Sequence, residues 1–359
     1  MNNGKHASHV RNFTHLMETG AEEVRALVES ARALKSRPLA DLPLAGKSVA
    51  FCFMNPSLRT QVSCEVAAAA LGAHPVTLFL GSGTWKIVVD DGVVMDGDAP
   101  EHAKEAVPVL ARMCDALALR SFPEGKDWRK DRLDPYLSAF RRLSPAPVIS
   151  LESAMGHPCQ GLADLMTIRE RMDPRGKEFL LTWAPHVKAL PLAVPHSAVE
   201  AAALAGMNVT IARPEGYDLD PEVMENVRAA CGANNARLRV TDATRSAYEG
   251  AHVVYAKSWG SLKNYGQPPC AEKPFRDLWR VSQDKMALTD NGVFMHCLPV
   301  RRNVEVDDAV LDGPSSIVVD QAENRLHTAK AVLLRLLAGR LLKLNELPEA
   351  SPCLTPSTL

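Results

Sequence analysis

The sequence has no excess of either charge, no ordered cysteine spacing and no long apolar run. Lysine and arginine number 41 against 42 aspartate and glutamate, so composition gives no basic surface of the kind that binds nucleic acid. The eight cysteines include no Cys-x-x-Cys pair, which argues against disulfides, structural zinc or another metal cofactor. No signal peptide or membrane-length apolar run is evident. We therefore expect a cytoplasmic protein without nucleic-acid or membrane partners.

A nucleotide-binding turn is also missing. No Gly-x-Gly-x-x-Gly segment follows a predicted strand, and this absence disfavours the alternative of a nicotinamide-dependent oxidoreductase. We expect no cofactor.

The chain does contain apolar segments that alternate with helical ones. Its 359 residues, 46% of them hydrophobic, supply enough apolar material for two domains. We predict an α/β fold of two domains, each a parallel sheet flanked by helices, joined by interdomain helices. The predicted strands are Ser48 to Phe53, His74 to Leu80, Ala116 to Arg120, Val148 to Ser150, Phe179 to Trp183, Asn208 to Ala212, His252 to Lys257, Val293 to His296 and Ser316 to Val319.

A domain boundary is predicted near residue 150, where Ser144-Pro-Ala-Pro147 precedes a short strand. The first domain would cover residues 1–150 and the second residues 151–330. An amphipathic helix predicted from Ala329 to Leu342 lies largely in residues 331–347, which would pack back on the first domain. Residues 348–359 are rich in Pro, Ser and Thr and would be disordered.

The segment Asn55-Pro-Ser-Leu-Arg-Thr60 joins a predicted strand to a predicted helix. Such a turn aims free backbone N–H groups and the positive end of the helix at an anion. Ser57, Arg59 and Thr60 add hydroxyls and a guanidinium suited to phosphate. The same residues also suit an ordinary helix start, with Ser57 as the N-cap and Arg59 at the surface. The segment alone leaves both interpretations open.

Four further polar clusters follow predicted strands. Ligands of open α/β sheets bind at the carboxyl ends of strands, so the clusters predict one shared cleft. A single histidine or cysteine in such a place is more often an ordinary core residue, and only the recurrence supports a site. The clusters are Arg120; Glu152 with His157 and Gln160; Lys257-Ser-Trp259; and His296-Cys-Leu-Pro299.

Three segments together resemble the signatures of the aspartate and ornithine carbamoyltransferase family: Ser57-Leu-Arg-Thr60, His157-Pro-Cys-Gln160 and His296-Cys-Leu-Pro299. Gln61 departs from the family, where many relatives carry a second arginine. Other segments resemble the branch that carbamoylates N-acylated ornithine. They are Trp85, Met95-Asp-Gly-Asp98, Thr182-Trp-Ala-Pro-His186, Tyr255-Ala-Lys-Ser-Trp259, Arg301-Arg-Asn303 and Glu323-Asn-Arg325.

The resemblance implies that the first domain binds carbamoyl phosphate and the second an amino-acid acceptor, in a homotrimer with active sites shared between subunits. Catalytic roles are implied for Arg59, Thr60, Arg120, His157 and Cys297. The departing phosphate can accept the amine's proton, so no general base is required. A nucleophilic Cys297 is the alternative to one that positions the amine. The implied carbamoyl phosphate residues are Ser57, Leu58, Arg59, Thr60, Trp85 of a neighbouring subunit, Arg120, His157, Gln160, Cys297, Leu298 and Arg325.

The implied acceptor is N-succinylornithine, used in arginine biosynthesis. Free-ornithine relatives usually carry an Asp-x-x-x-Ser-Met-Gly segment, which this chain lacks. Succinylornithine enzymes resemble Asp-Gly-Asp-x-Pro and acetylornithine enzymes Asp-Gly-Asp-x-Glu, and here the position is Pro100. A glutamate there would repel the succinyl carboxylate, although proline also suits the start of a helix. N-acetylornithine carbamoyltransferase is the alternative.

The implied acceptor residues divide by the group that each would hold. His186 and Lys188 are candidates for the succinyl carboxylate, although either also suits an ordinary solvated loop. Lys257 and Arg302 would hold the α-carboxylate. A non-catalytic relative is disfavoured, because every polar group that the chemistry needs is present. The full acceptor set is Glu152, His186, Lys188, Lys257, Cys297, Leu298, Arg302 and Pro100.

Overall fold

The structure is a computed structural model that describes residues 12–37, 39, 41–270 and 272–343. No helix within those ranges is long and apolar enough to cross a membrane. The helices are α1 (Leu16–Thr19), α2 (Ala21–Ser36), α3 (Leu58–Ala70), α4 (Ala103–Met113), α5 (Trp128–Asp131), α6 (Pro135–Leu143), α7 (Pro158–Arg171), α8 (Ala193–Leu204), α9 (Pro221–Ala233), α10 (Lys273–Trp279), α11 (Gln283–Met286), α12 (Asp308–Leu311) and α13 (Val318–Leu337). The strands are β1 (Ser48–Phe53), β2 (His74–Phe79), β3 (Ile87–Val88), β4 (Glu101–His102), β5 (Ala116–Arg120), β6 (Val148–Glu152), β7 (Glu178–Trp183), β8 (Asn208–Ala212), β9 (Leu238–Thr241), β10 (Val253–Lys257) and β11 (Val293–Met295).

The first sheet has the order β2-β1-β5-β6, and all its neighbouring strands are parallel. Alternate residues of a strand point to opposite faces, and helices cover both faces of this sheet. Val49, Phe51 and Phe53 of β1 join a core with α2, α3, α7 and α13. Ala50 and Cys52 join a separate core with α4 and α6. Burial on both faces explains why β1 is a continuous apolar run.

The second sheet has the order β11-β10-β7-β8-β9 and is also parallel throughout. Helix α7 lies between the two sheets in sequence and packs against α8 and α13. Helix α13 also packs against α2 and α3. The predicted fold class, two parallel sheets flanked by helices, is confirmed.

One predicted strand is wrong, and three strands, β3, β4 and β9, were not predicted. The strand predicted from Ser316 to Val319 is wrong, because Ser316 makes only an isolated bridge to Phe294 and α13 begins at Val318. β9 was not predicted, since it is short and its residues are all at least partly exposed. The predicted domain limits at 150 and 330 stay predictions. Residues 348–359 lie outside the described ranges.

Candidate active site

A cavity of about 490 Å³ lies where strands of both sheets end. Arg120, Glu152 and Lys257 end β5, β6 and β10, and Cys297 follows β11. The rule that ligands bind at the carboxyl ends of parallel strands therefore located a real cavity. The sequence-predicted residues that line it are Ser57, Leu58, Arg59, Arg120, Glu152, His157, Gln160, His186, Lys257, Cys297, Leu298 and Arg325.

The loop after β1 is held by hydrogen bonds to the hydroxyl groups of Ser57 and Thr60. Ser57 caps α3, since its Oγ accepts from the backbone N–H of Thr60 at 3.3 Å. The Oγ of Ser57 also donates to Oγ1 of Thr60 at 2.8 Å. Thr60 is buried, and its Oγ1 accepts a further bond from Arg325 at 2.5 Å. Ser57 is thus the N-cap, while Arg59 lines the cavity.

Three arginines, Arg59, Arg120 and Arg325, line this cavity together. Burial lowers the pKa of Arg59 and of Arg120, and the charge of Arg325 lowers both pKa values further. The carboxylate of Glu152 hydrogen-bonds Arg120 and opposes that shift. The Nε of each arginine is buried without a hydrogen-bond partner among the described residues. The cavity therefore carries an excess of positive charge that suits a multiply charged anion.

His157 is a neutral donor at the edge of the arginine cluster. It caps α7, and its Nδ1 accepts from the backbone N–H of Gln160 at 3.3 Å. The hydrogen-bond pattern assigns the ring proton to Nε2, which lies 3.7 Å from Oε2 of Glu152. Burial, with the charges of Arg325 and Arg120, holds the pKa of His157 well below its ordinary value.

The segment after β11 turns sharply into the cavity. Nδ1 of His296 accepts from the backbone N–H of Leu298 at 2.9 Å, and its Nε2 lies 2.9 Å from Oε2 of Glu305. Both side chains are buried. Leu298 has a φ of 55°, in the left-handed region. This turn places Cys297 and Leu298 side by side at the cavity wall.

The chemical state of Cys297 limits what it can do. Burial raises the pKa of its thiol to about 11, even though the charge of Lys257 lowers it. The thiol is therefore protonated at neutral pH. A protonated thiol is a poor nucleophile, so this environment favours a positioning role for Cys297.

His186 reaches the cavity, but Lys188 does not join it. His186 Nδ1 lies 3.1 Å from the Lys188 carbonyl oxygen, and its Nε2 accepts from Nε of Arg301 at 3.0 Å. The Lys188 side chain is exposed and does not line the cavity. The cation next to His186 is thus Arg301, which the sequence placed in a family segment but not in the acceptor site.

Arg302 lies elsewhere. Its guanidinium donates to Asp308 at 2.8 Å and to Asp312 at 2.7 Å. These two carboxylates occupy its hydrogen-bonding groups, and Arg302 does not line the cavity. Of two adjacent arginines, the structure therefore brings only Arg301 into contact with a cavity residue.

Trp85 and Pro100 lie together, away from the cavity of their own chain. Trp85 is 60% exposed, and its indole N–H donates to Glu101, the residue after Pro100. The pairing of β3 with β4 brings these two positions together. Neither Trp85 nor Pro100 lines the cavity of its own chain.

Several cavity residues were not predicted. The ring of Phe122 lies 4.6 Å from the Arg120 guanidinium, a cation–π contact. Leu190, Pro191 and Val194 supply an apolar wall. Only Phe122 had a sequence signal, since it follows Arg120 by two residues after a strand; the other three lie in a loop and at the start of α8.

Comparison with known proteins gives matches along most of the chain. Residues 11–170 match the family profile described as aspartate/ornithine carbamoyltransferase, carbamoyl-P binding domain. Residues 193–336 match the profile described as aspartate/ornithine carbamoyltransferase, Asp/Orn binding domain. The first match contains all four strands of the first sheet, and the second contains β8 to β11, four of the five strands of the second sheet.

Individual relatives cover nearly the same region. The N-acetylornithine carbamoyltransferase of Xanthomonas campestris is 44% identical over 336 residues, which cover 91% of this chain and 98% of that protein. The N-succinylornithine carbamoyltransferase of Bacteroides fragilis is 38% identical over 330 residues, covering 91% and 99%. A crystal structure of an N-acetyl-L-ornithine transcarbamylase, with one glutamate replaced by proline, contains carbamyl phosphate and N-succinyl-L-norvaline. It matches at a TM-score of 0.86 and 44% identity, covering 91% of this chain and 100% of that one.

Proposed function

The chain belongs to the aspartate/ornithine carbamoyltransferase family, and from that premise we propose that it transfers the carbamoyl group of carbamoyl phosphate to the side-chain amine of N-succinylornithine. The products would be N-succinylcitrulline and phosphate, in a step of arginine biosynthesis. One observation carries this proposal: Arg59, Arg120 and Arg325 converge at the N-terminus of α3, in the cavity that Cys297 also lines.

The residues of the cavity support transfer through a tetrahedral intermediate. The amine nitrogen forms a bond to the carbonyl carbon, the bond from that carbon to the phosphate oxygen breaks, and phosphate leaves with the amine's proton. Arg59 and Arg325 neutralise the phosphate. Arg120 and the Nε2–H of His157 donate to the carbonyl oxygen as negative charge grows there. Each such donor is worth about 3 kcal/mol, or roughly a hundredfold in rate. Thr60, which the resemblance implied as a third donor, is fully buried and does not line the cavity, so it acts by holding Arg325.

The amine is positioned by the turn after β11. Cys297 and Leu298 both line the cavity there, and the backbone carbonyl of Leu298 would accept a hydrogen bond from the amine. Cys297 stays protonated because burial raises its pKa to about 11. No covalent enzyme intermediate is needed, since the amine attacks the carbamoyl carbon directly.

An N-acylated acceptor is proposed because the chain offers carboxylate partners but no segment of the kind that holds a free α-amino group. The α-carboxylate would bind Lys257, which is buried in the cavity wall. Glu152 would face the acceptor's amide N–H. Arg301 and His186 would hold the succinyl carboxylate, because Arg301 contacts His186 while Arg302 is bound to Asp308 and Asp312. Leu190 and Val194 would pack on the acyl chain.

A preference for N-succinylornithine that depends on Pro100 requires a homotrimer in which subunits share active sites. Trp85 and Pro100 do not line the cavity of their own chain, so they act on the acceptor only if they reach a neighbouring subunit. Exposed apolar residues on α3 support such an interface: Leu58, Val62 and Val66 lie one turn apart and face outward. Sedimentation equilibrium should give the mass of three chains, and a monomer would exclude shared sites.

N-acetylornithine is the second candidate acceptor. It is favoured by the higher identity to the N-acetylornithine enzyme of Xanthomonas campestris, 44% against 38% for the Bacteroides fragilis enzyme. Pro100 favours succinyl instead, because no glutamate carboxylate stands two residues after Asp98.

The proposed reaction is tested by incubating the purified protein with carbamoyl phosphate and one acceptor at a time. We expect acceptor-dependent phosphate release, and a product heavier by one carbamoyl group, with N-succinylornithine but not with ornithine or aspartate. Turnover of free ornithine at a comparable rate would contradict the proposal of an N-acylated acceptor.

A further inference from the structure

A chain of buried hydrogen bonds runs behind the cavity between its two halves. Gln160, which lines the cavity, donates from Nε2 to Oδ1 of Asp164 at 2.8 Å. Gln321 donates from Nε2 to the same Oδ1 at 2.6 Å. Oε1 of Gln321 accepts from the backbone N–H of His296 at 2.9 Å. Three hydrogen bonds therefore connect Gln160 with the residue that precedes Cys297.

We propose that Asp164 and Gln321 are positioning residues that fix the carbamoyl phosphate side of the active site relative to the acceptor side. The inference rests on the proposed function, since it concerns the alignment of the two substrates. Neither residue lines the cavity, so both act through Gln160 and the turn at His296.

Asp164 and Gln321 lie on two helices that also carry cavity residues. Gln160 and Asp164 lie one turn apart on the same face of α7, and Gln321 and Arg325 lie one turn apart on α13. Arg325 in turn bonds Thr60 at the start of α3. The pair thus links α7, α13 and the end of β11, and through Arg325 it is connected to Thr60 in the loop after β1.

The pair is buried enough for its geometry to be fixed. Asp164 is 2% exposed and Gln321 is fully buried. Burial raises the pKa of Asp164 to about 6, while the hydrogen bonds from Gln160 and Gln321 lower it. A buried polar network holds its partners in place because any lost hydrogen bond leaves an unsatisfied group. Misplacement of a reacting group by about 1 Å can lower a rate roughly a hundredfold.

A neighbouring contact between the same helices provides a matched control. Asn324 on α13 donates from Nδ2 to Oγ1 of Thr167 on α7 at 2.9 Å, and both side chains are buried. This contact lies about one turn from the Asp164–Gln321 contact but connects to no residue of the cavity wall. Thr167→Val removes a buried hydrogen bond between α7 and α13 and leaves the link between Gln160 and His296 intact.

The test compares kcat and the melting temperature of four proteins. We expect Gln321→Met, which keeps the volume but loses both amide groups, to lower kcat at least tenfold. Thr167→Val should keep kcat within about twofold of the wild type. It should lower the melting temperature by about as much as Gln321→Met does. Asp164→Asn should retain most of the activity, because its amide oxygen still accepts from both glutamines.

Loss of kcat to the same extent in Thr167→Val, or wild-type kcat in Gln321→Met, would overturn the positioning role. If Gln321→Met does not fold, Gln321→Glu serves the same comparison, since it keeps the acceptor for His296 but loses the donor to Asp164. Absence of carbamoyl transfer in the wild type would instead refute the proposed function, so the two failures are distinguishable.

Discussion

Arg325 donates a hydrogen bond to the hydroxyl of Thr60 at 2.5 Å, across 265 positions of sequence. Arg325 lies on α13, and Thr60 lies in the first turn of α3. Helix α13, near the end of the described residues, therefore contributes to a cavity that begins at the end of β1. Because burial hides Thr60 from the cavity wall, its position depends on Arg325 and on Ser57.

The first prediction concerns this contact. Arg325→Gln should raise the KM for carbamoyl phosphate by about a hundredfold, because it removes a charge-assisted hydrogen bond and one of three phosphate-facing cations. Lys330→Gln is the control, since it removes a charge from the same helix at a residue that does not line the cavity. Steady-state kinetics with varied carbamoyl phosphate measure both. Equal KM values for the two variants would show that Arg325 does not bind phosphate.

A second prediction follows from the protonated thiol of Cys297. Cys297→Ser should keep at least about a tenth of the wild-type kcat, because a hydroxyl can still lie beside the amine. Between pH 7 and 9 the rate should show no ionisation from this group, whose pKa is about 11. Mass spectrometry during turnover should find no carbamoylated protein. An inactive serine variant together with a trapped carbamoyl adduct would establish a nucleophilic cysteine.

A third prediction distinguishes the roles of the adjacent residues Arg301 and Arg302. Arg301→Ala should raise the KM for N-succinylornithine at least tenfold, because Arg301 contacts His186 at the cavity. Arg302→Ala should leave that KM within about threefold, since its ion pairs with Asp308 and Asp312 are exposed and such pairs contribute little. The KM for carbamoyl phosphate serves as an internal control. The reverse order of effects would assign the carboxylate to Arg302.

That the loop of residues 55–60 and the strand-end clusters would line one cavity could be predicted, because the rules that place them are local. A strand followed by a capped helix is visible in sequence, and parallel strands carry ligands at their carboxyl ends. The choice between Arg301 and Arg302 could not be predicted, because it depends on which way the backbone turns after Pro299 and on carboxylates six and ten residues beyond Arg302.

Other residues were missed for different reasons. Val318 and Val319 are β-branched and predicted a strand, yet they form the first turn of α13. Because the start of α13 was misplaced, Gln321 could not be assigned to the same face of that helix as Arg325. Asp164 followed Gln160 by four residues on a predicted helix, but only the tertiary contact with Gln321 marks it as different from an ordinary surface aspartate.

A fourth prediction tests Pro100. Pro100→Glu should weaken the binding of N-succinylornithine relative to that of N-acetylornithine. The reason is that two carboxylates about 4 Å apart repel by about 4 kcal/mol at a surface-like dielectric, which is nearly a thousandfold in affinity. Ala99→Glu is the control, since it adds the same charge one residue earlier. Trimer mass should be checked for both variants. An unchanged preference in Pro100→Glu would show that this residue does not select the acceptor.

The most direct test of the account is competition between acceptors. Wild-type protein is supplied with carbamoyl phosphate and equal concentrations of N-succinylornithine and N-acetylornithine, and the initial rates of the two carbamoylated products are measured by mass spectrometry. The ratio of these rates equals the ratio of the two kcat/KM values. We predict that the succinylated product forms at least tenfold faster. Faster formation of the acetylated product would contradict the proposal that N-succinylornithine is the acceptor.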